Sequence, residues 1–151
     1  MPVERSAGAV VYRIEKNKPI FLLLQHPDSK DKKTGKLKSG HWDFPKGHIE
    51  KGETTEDTVR REVCEEAEIS KIEIIPGFKE TIRYFVKIGE EKRMKFVAFF
   101  LARTEKSAVK ISFEHQDYAW LSFKDACEWL TYKNVKEVLK KAYEYLQRKS
   151  V

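Results

Sequence analysis

Cysteine is scarce in this sequence, with only two in 151 residues. Cys64 and Cys127 lie far apart and form no CxxC motif or close cysteine–histidine pair, so the pattern favours neither a structural zinc site nor a disulfide framework. Long apolar runs are also absent, because no stretch approaches the roughly 18 residues of a membrane span. The first residues carry no visible export or anchoring signal. These absences predict a cytoplasmic protein that does not enter a membrane.

Glycine and proline are also few, at seven and five residues. No linker, repeat or low-complexity segment interrupts the chain. A hydrophobic content of 40% in 151 residues is sufficient for one packed core. We therefore expect residues 1–151 to form a single domain. The net charge of +6 suits nucleic acid or polyphosphate, but it concerns attraction and solubility rather than chemistry.

Apolar and β-branched runs predict a sheet of about six strands. The predicted segments are 7–14, 20–25, two within 71–104 that flank a turn at 88–91, 108–112 and 118–122. Residues 26–41 are polar, lysine-rich and without period, which predicts a mobile loop. Two helices should follow the sheet. Ser122 and Asp125 suit the start of a short helix.

Apolar residues at helical spacing predict a longer closing helix. They are Val135, Val138, Leu139, Ala142, Tyr145 and Leu146. Strands and helices are thus intermixed along the chain. The pattern predicts an α/β or α+β domain.

Carboxylates are concentrated in residues 47–69 of this basic chain. Thr54 and Asp57 resemble a capping box, which predicts a helix over 55–68. Glu62, Glu65 and Glu66 then share one arc of that helix at positions i, i+3 and i+4. Like charges at this spacing destabilise a helix by roughly 0.2–0.5 kcal/mol per pair. A bound Mg²⁺ would offset that cost, because it prefers carboxylate oxygen.

Solvent offers a second interpretation of the same glutamates, since most charge runs form the wet face of a surface helix. Val59, Val63 and Ala67 lie immediately beside the glutamates on the helical projection, so the acidic edge borders the apolar face instead of opposing it. The spacing alone leaves a metal site and a solvated face about equally favoured.

The segment also resembles a known signature. Gly47, Glu53, Arg61-Glu62-Val63 and Glu65-Glu66 stand at the spacing of the Nudix box, a motif of hydrolases that cleave nucleoside diphosphates linked to another group. Glu68 departs from the pattern, because the family usually has glycine there. That glycine allows a left-handed turn, which glutamate adopts at a cost of about 1 kcal/mol.

The resemblance extends over nearly the whole chain. The segments "FLLLQHP", "HWDFPKGHIEKGE", "GFKETIRY" and "EHQDYAWL", and the closing helices, are similar to those of asymmetrical diadenosine tetraphosphate hydrolases. These enzymes split a dinucleoside tetraphosphate into ATP and AMP. The implied fold is an α/β/α sandwich with a central mixed β-sheet. The implied cofactor is Mg²⁺, with Mn²⁺ as an alternative.

The resemblance also implies roles for the acidic residues. Glu62 and Glu66 are the expected direct metal ligands, Glu65 a further ligand or the base that activates water, and the Gly47 carbonyl an additional ligand. Glu53 supports this catalytic set, and Arg61 orients the glutamates. Glu114 matches an acidic residue that lies across the site and contributes to metal or water handling. Read alone, Glu114 is an ordinary loop glutamate.

Substrate binding requires cations for phosphate and flat side chains for adenine. By resemblance, Lys79 holds phosphate, and Tyr84 and Tyr118 sandwich adenine. Lys46 and His48 are expected to face the polyphosphate, although His48 is equally suited to fixing the loop. Lys79 and Tyr84 are five positions apart, so a regular strand directs them to opposite faces unless a bulge intervenes.

Other aromatic residues and histidines have no expected role in the site. His26, His41 and His115 are not spaced as a zinc set, and Trp42, Trp120 and Trp129 are expected to fill the core. We expect a monomer that acts on a small dinucleoside polyphosphate. Two alternatives stay open: a Nudix hydrolase for another nucleoside diphosphate derivative or capped RNA 5′ end, and a non-catalytic RNA-binding module of the same shape.

Overall fold

A computed structural model describes residues 2–149 of the chain. Ten strands and three helices follow one another along the sequence. The strands are β1 Val3–Glu15, β2 Lys18–Gln25, β3 Ser29–Lys30, β4 Leu37–Lys38, β5 Trp42–Asp43, β6 Lys46–His48, β7 Glu73–Ile74, β8 Glu80–Ile88, β9 Glu91–Arg103 and β10 Asp117–Leu121. The helices are α1 Thr55–Ala67, between β6 and β7, and α2 Phe123–Trp129 and α3 Lys133–Lys149, which close the chain.

Eight of the strands form one mixed sheet. Its central order is β10, β2, β1, β9 and β7, while β5 pairs with β2, β6 with β1 and β8 with β9. The long β1 and β9 run parallel over ten residue pairs, and the other pairings are antiparallel. The short β3 and β4 form a separate hairpin. The expectation of a mixed central sheet is confirmed.

Alternating side chains on the central strands supply two separate cores. Along β1, Ala7, Ala9 and Val11 join the cluster that packs on α1, whereas Val10 and Tyr12 join the cluster that packs on α2 and α3. Each face of the sheet is therefore covered by helix. The molecule is the predicted α/β/α sandwich.

Local sequence explains where the first two helices begin and end. Thr54 and Asp57 exchange side-chain and backbone hydrogen bonds in a capping box that starts α1. Glu68 ends α1 in the left-handed conformation, at φ 56° and ψ 40°. The glycine that the family usually has at this position predicts the same conformation. The Ser122 hydroxyl accepts the Asp125 amide at the start of α2. These boundaries were predicted from the sequence and are confirmed.

Two predictions about irregular segments are wrong. Residues 26–41 contain the β3–β4 hairpin, in which Asp31 side-chain and backbone bonds close the turn. Residues 108–112 are not a strand. The amides of Lys110 and Ser112 instead donate to the carbonyls of Ala67 and Glu66, at 3.1 and 3.4 Å, so this segment docks on the end of α1.

The three tryptophans differ in how deeply they are buried. Trp129 does not fill the core as predicted, because it is 44% exposed and packs edge-on against Trp42. Trp42 and Trp120 are half-buried against the two clusters.

Within residues 2–149, every helix lacks the combination of length and apolar character that crossing a membrane requires.

Candidate active site

The predicted acidic edge of α1 lies against the body of the protein. Glu62 and Glu66 are only 8% and 6% exposed, whereas the Glu65 side chain is 59% exposed. Val59, Val63 and Ala67 are fully buried next to them. The solvated-face interpretation therefore fails for Glu62 and Glu66, because these two carboxylates are buried together with the apolar face of the helix.

Strand β6 brings backbone groups against these carboxylates. It pairs with β1 through Ser6, Ala7 and Gly8, and α1 packs across it. The Lys46 amide donates to Glu66 Oε1 at 3.1 Å. A Cβ atom on Gly47 would overlap the Glu62 carboxylate. Only glycine at position 47 leaves room for the carboxylate and access to the backbone beside it.

Arg61 connects the remaining box residues. Its Nε donates to Glu53 Oε2 at 2.7 Å and its Nη2 donates to Glu53 Oε1 at 3.0 Å, a two-point contact that fixes the guanidinium plane. Nη1 donates to Glu62 at 2.6 Å and to Glu65 at 3.3 Å. Nη2 also donates to the His48 carbonyl at 2.9 Å, which ties β6 to the helix. The guanidinium therefore orients three glutamates and contacts the strand that carries Gly47.

These environments separate the acidities of the glutamates. Burial, followed by the charge of Glu62, raises the pKa of Glu66 from an ordinary 4.5 to about 8. Burial also raises the pKa of Glu62, although Arg61 opposes that effect. Hydrogen bonds from Arg61 lower the pKa of Glu53 to about 2. Glu53 is thus a fixed anion, whereas the buried Glu66 carboxylate forms no salt bridge with any residue between 2 and 149.

The donor set fits a hard divalent cation. It consists of carboxylate oxygens from Glu62, Glu65 and Glu66 together with the Gly47 carbonyl, and Mg²⁺ prefers such oxygen ligands. The three carboxylates do not converge on one point. Among residues 2–149, no three carboxylates place one oxygen each within 4.8 Å of one another. Arg61 holds Glu62 and Glu65, while the Lys46 amide holds Glu66. Separate partners therefore keep the like charges apart.

Glu114 lies in the loop that follows the docked segment 108–112. Its charge contributes to the raised pKa of both Glu62 and Glu66, which places it near the pair. Its amide donates to the Ser112 hydroxyl at 3.3 Å. The structure thus brings together Glu62, Glu66 and Glu114 from distant parts of the sequence.

A cleft of about 540 Å³ adjoins the carboxylates through Lys46, although the glutamates themselves do not line it. Lys46 joins the two regions, because its amide holds Glu66 while its side chain lines the cleft. The Lys46 ammonium lies 3.1 Å from Asp43 Oδ2 and 3.5 Å from the Tyr84 hydroxyl. Burial lowers the pKa of Lys46, but Asp43 and Tyr84 outweigh it and the net shift is upward. A cation and an aromatic ring therefore face the same cavity.

The other predicted substrate residues lie elsewhere. Lys79 is exposed, with its ammonium 5.9 Å from the ring of Phe100, in the cluster on the α1 face. Tyr84 packs against the opposite cluster, so the five-residue offset does separate the two side chains. Tyr118 is 37% exposed on β10 and is absent from the lining of the cleft. His48 directs its ring to Glu4, at 3.3 Å.

Sequence reasoning missed one group in the cleft: His26, His41 and Asp43. Their potential ligand atoms all lie within 4.8 Å of one another. Tyr132 also lines the cleft and packs against His41. One signal for the group is available in the sequence, because Asp43 is an acid between Trp42 and Phe44 in a strand-like run. The pairing of β5 with β2, which brings in His26, is not readable from local sequence.

Comparisons with known proteins identify the family of the chain. A family model described as the NUDIX domain matches residues 2–146. A mouse protein named bis(5′-nucleosyl)-tetraphosphatase (asymmetrical) is 32% identical over 152 aligned positions, covering 94% of this chain and 95% of its own. An RNA pyrophosphohydrolase from a Nitratiruptor species is 32% identical over 117 positions, covering 71% of this chain and 74% of its own.

The fold comparison gives the same answer. The crystal structure of a C. elegans Ap4A hydrolase binary complex superimposes with a TM-score of 0.78 and 31% identity, over 96% of this chain and 98% of that one. The match therefore includes the carboxylate helix, the mixed sheet and the closing helices. On these grounds the chain belongs to the Nudix family of hydrolases.

Proposed function

We propose that this hydrolase cleaves diadenosine tetraphosphate into ATP and AMP in a Mg²⁺-dependent reaction with water. One observation carries the proposal: the buried Glu62 lies against Gly47 and the buried Glu66 accepts the Lys46 amide, while the Lys46 side chain lines a cleft together with Tyr84. The mouse relative and the C. elegans structure bear the names of enzymes that act on such dinucleotides. Both relatives align over nearly the whole chain, which supports the same substrate class.

Glu62, Glu65, Glu66 and the Gly47 carbonyl would hold the ion. Bound Mg²⁺ supplies charge neutralisation for the polyphosphate and lowers the pKa of a coordinated water. Glu65 is suited to accept the proton of that water, because its side chain is exposed whereas its neighbours are buried. Arg61 keeps Glu53 and Glu62 in fixed orientations, so its contribution is positioning.

Lys46 and Tyr84 would bind the nucleotide. The Lys46 ammonium is a point charge for a phosphate oxygen, and stacking on a tyrosine contributes roughly 1–3 kcal/mol per base. Lys79, Tyr118 and His48 remain predictions from the family resemblance. Glu114 is proposed to assist metal or water handling, since its charge is felt by both buried glutamates.

Product analysis tests the proposal. The purified protein is incubated with Mg²⁺ and, in turn, diadenosine tetraphosphate, a nucleoside diphosphate sugar, an inositol polyphosphate and a 5′-triphosphorylated RNA. We expect ATP and AMP from the first substrate at the highest kcat/KM. Glu66→Gln should lower kcat at least 100-fold. Glu56→Gln, on the exposed first turn of the same helix, is the matched control and should leave turnover unchanged.

Two results would contradict the assignment. Equal turnover by Glu66→Gln removes this carboxylate from the metal role, and a preference for another phosphoanhydride replaces the substrate. Hydrolysis at an RNA 5′ end is the second candidate, favoured by the RNA pyrophosphohydrolase relative and by the lysines of the β3–β4 hairpin. Tight RNA binding without turnover of any compound would favour a binding module instead.

A further inference from the structure

The register of β2 and β5 places three potential ligands on one face of a ladder. Leu24 pairs with Asp43 and Gln25 with Trp42, and the His26 amide continues the ladder by donating to the His41 carbonyl at 2.9 Å. Paired residues on antiparallel strands direct their side chains to the same side, as do residues two positions apart. The backbone therefore brings His26, His41 and Asp43 together.

Asp43 has unused ligand capacity. Its carboxylate is 1% exposed, and Oδ1 accepts the Phe44 amide at 2.7 Å. Oδ2 receives no hydrogen bond from residues 2–149, although the Lys46 ammonium lies 3.1 Å away as an ion pair. Buried carboxylate oxygens are normally hydrogen-bonded or coordinated to metal. This oxygen thus retains a lone pair beyond its ion pair with Lys46, on a residue that lines the cleft.

The two imidazoles are suited to the same role. Their rings stack with centroids 3.9 Å apart at 13°, and His115 packs edge-on against His26 at 4.7 Å. Burial lowers the pKa of His26 to about 4 and also lowers the pKa of His41. Both rings are therefore neutral at physiological pH, which is the form that binds metal.

We propose that His26, His41 and Asp43 form a second metal site, for a borderline ion of the Zn²⁺ class, with its open coordination position facing the cleft. Two imidazole nitrogens and one carboxylate oxygen suit Zn²⁺ or Co²⁺, whereas Mg²⁺ prefers the all-oxygen glutamate set. Three protein ligands leave a fourth position for water or a phosphate oxygen. The potential ligand atoms lie within 4.8 Å of one another, and metal–ligand bonds of about 2.0–2.2 Å require one imidazole to rotate out of the stack, because a histidine binds metal in the plane of its ring.

Lys46 makes the direction of a change in metal affinity a distinctive test of this site. Its ammonium now provides the positive charge beside Asp43 Oδ2, so an incoming ion competes with it. The long side chain can turn toward Tyr84 and the cleft, where it already lies 3.5 Å from the hydroxyl. Removal of the ammonium should therefore strengthen metal binding, whereas removal of a ligand should weaken it.

Visible spectroscopy of Co²⁺ tests the site independently of hydrolysis. The full chain, stripped with chelator, is titrated with Co²⁺ in excess Mg²⁺, which saturates the glutamates. We expect one equivalent of Co²⁺ with intense visible bands, displaced by Zn²⁺. His41→Gln and Asp43→Asn should weaken binding by more than the roughly 10- to 100-fold that loss of a supporting contact costs. Lys46→Met should tighten it.

Two controls locate the ion. His48→Gln changes a histidine outside the group and Glu66→Gln changes the glutamate set, so both should keep the bands. Loss of the bands in Glu66→Gln, or their persistence in both His41→Gln and Asp43→Asn, would overturn the site, as would absence of binding. If the ligand variants fail to fold, imidazole NMR of the wild type replaces them. Zn²⁺ must then shift the ring nitrogens of His26 and His41 but not those of His48.

Discussion

Glu66 combines several unfavourable electrostatic effects in the candidate active site. Its carboxylate is buried and lies near the charges of Glu62 and Glu114, while the Lys46 amide stabilises the charged form only in part. At neutral pH a group with a pKa of about 8 is largely protonated unless a cation binds beside it. Binding of the proposed metal ion at Glu66 would therefore release a proton from this residue.

The raised pKa of Glu66 predicts a pH-dependent stability of the metal-free protein. The folded state binds the proton more tightly than the unfolded state, so the stabilisation is complete below about pH 4.5 and is lost as pH rises through about 8. The difference is at most about 5 kcal/mol for this shift. Urea unfolding in EDTA at several pH values should show a steeper decline for wild type than for Glu66→Gln. Parallel profiles would contradict the prediction.

Gly47 makes a second prediction at the scale of one residue. A methyl group at this position overlaps the Glu62 carboxylate, so Gly47→Ala must displace Glu62 or open β6 from α1. We expect the midpoint for Mg²⁺-induced stabilisation, measured by thermal unfolding, to rise at least tenfold. Gly52→Ala, in the loop before α1, is a control for loss of glycine elsewhere: its Cβ meets no atom, but its φ of +87° disfavours alanine, so the variant should lose stability without a change in the Mg²⁺ midpoint. An unchanged Mg²⁺ midpoint in Gly47→Ala would show that the contact is dispensable.

At the scale of the element, α1 is a well-capped helix with one unfavourable end. Thr54 and Asp57 satisfy its first amides, but Glu68 adopts the left-handed conformation that glycine adopts without steric cost. The Lys106 ammonium donates to the Glu68 carbonyl at 2.8 Å, a contact to the backbone that does not depend on the side chain. The Lys106 contact thus stabilises the end of the helix although residue 68 is not glycine.

Replacing this residue should stabilise the fold. Glu68→Gly removes the left-handed penalty and should raise the free energy of unfolding by about 1 kcal/mol, as measured with urea. Glu68→Ala keeps a Cβ in the same conformation and should give no comparable gain. A destabilised Glu68→Gly variant would indicate that the Glu68 side chain contributes more than the backbone geometry suggests.

Prediction from the sequence succeeded where the cause is local. The capping residues Thr54 and Ser122 mark helix starts because their hydroxyls bind amides three positions on, and Glu68 could be identified as left-handed from the family spacing. It failed where the cause is tertiary. Residues 108–112 have the composition of a strand, yet their amides bind the last carbonyls of α1. The group of His26, His41 and Asp43 likewise depends on strand register.

At the scale of the whole molecule, the sandwich divides the predicted nucleotide residues between its faces. Tyr84 joins the cluster covered by α2 and α3, Lys79 lies near Phe100 on the α1 face, and Tyr118 stands on the outer strand β10. Only Tyr84 among these three lines the cleft beside Lys46. The positions predict unequal contributions of the two tyrosines to binding.

Paired tyrosine variants measure that difference. Tyr84→Ala should raise the KM for diadenosine tetraphosphate by the stacking contribution, about 1–3 kcal/mol, or roughly 5- to 150-fold. Tyr118→Ala should have the smaller effect if the base enters the cleft, and Tyr84→Phe should retain most of the affinity. An equal rise for both alanine variants would instead support the adenine sandwich implied by the family resemblance. Unchanged values for both would exclude stacking on either ring.

The docking of residues 108–112 on α1 has a consequence for how the enzyme fails. The amides of Lys110 and Ser112 are fastened to the same helix that carries Glu62 and Glu66, and the following loop carries Glu114. Fraying of the last turn of α1 should therefore release Glu66 and the loop that carries Glu114 in one event. Deuterium uptake at these two amides should follow the rate for α1 instead of the slower rate of the sheet, and inactivation on heating should begin before the β-structure melts.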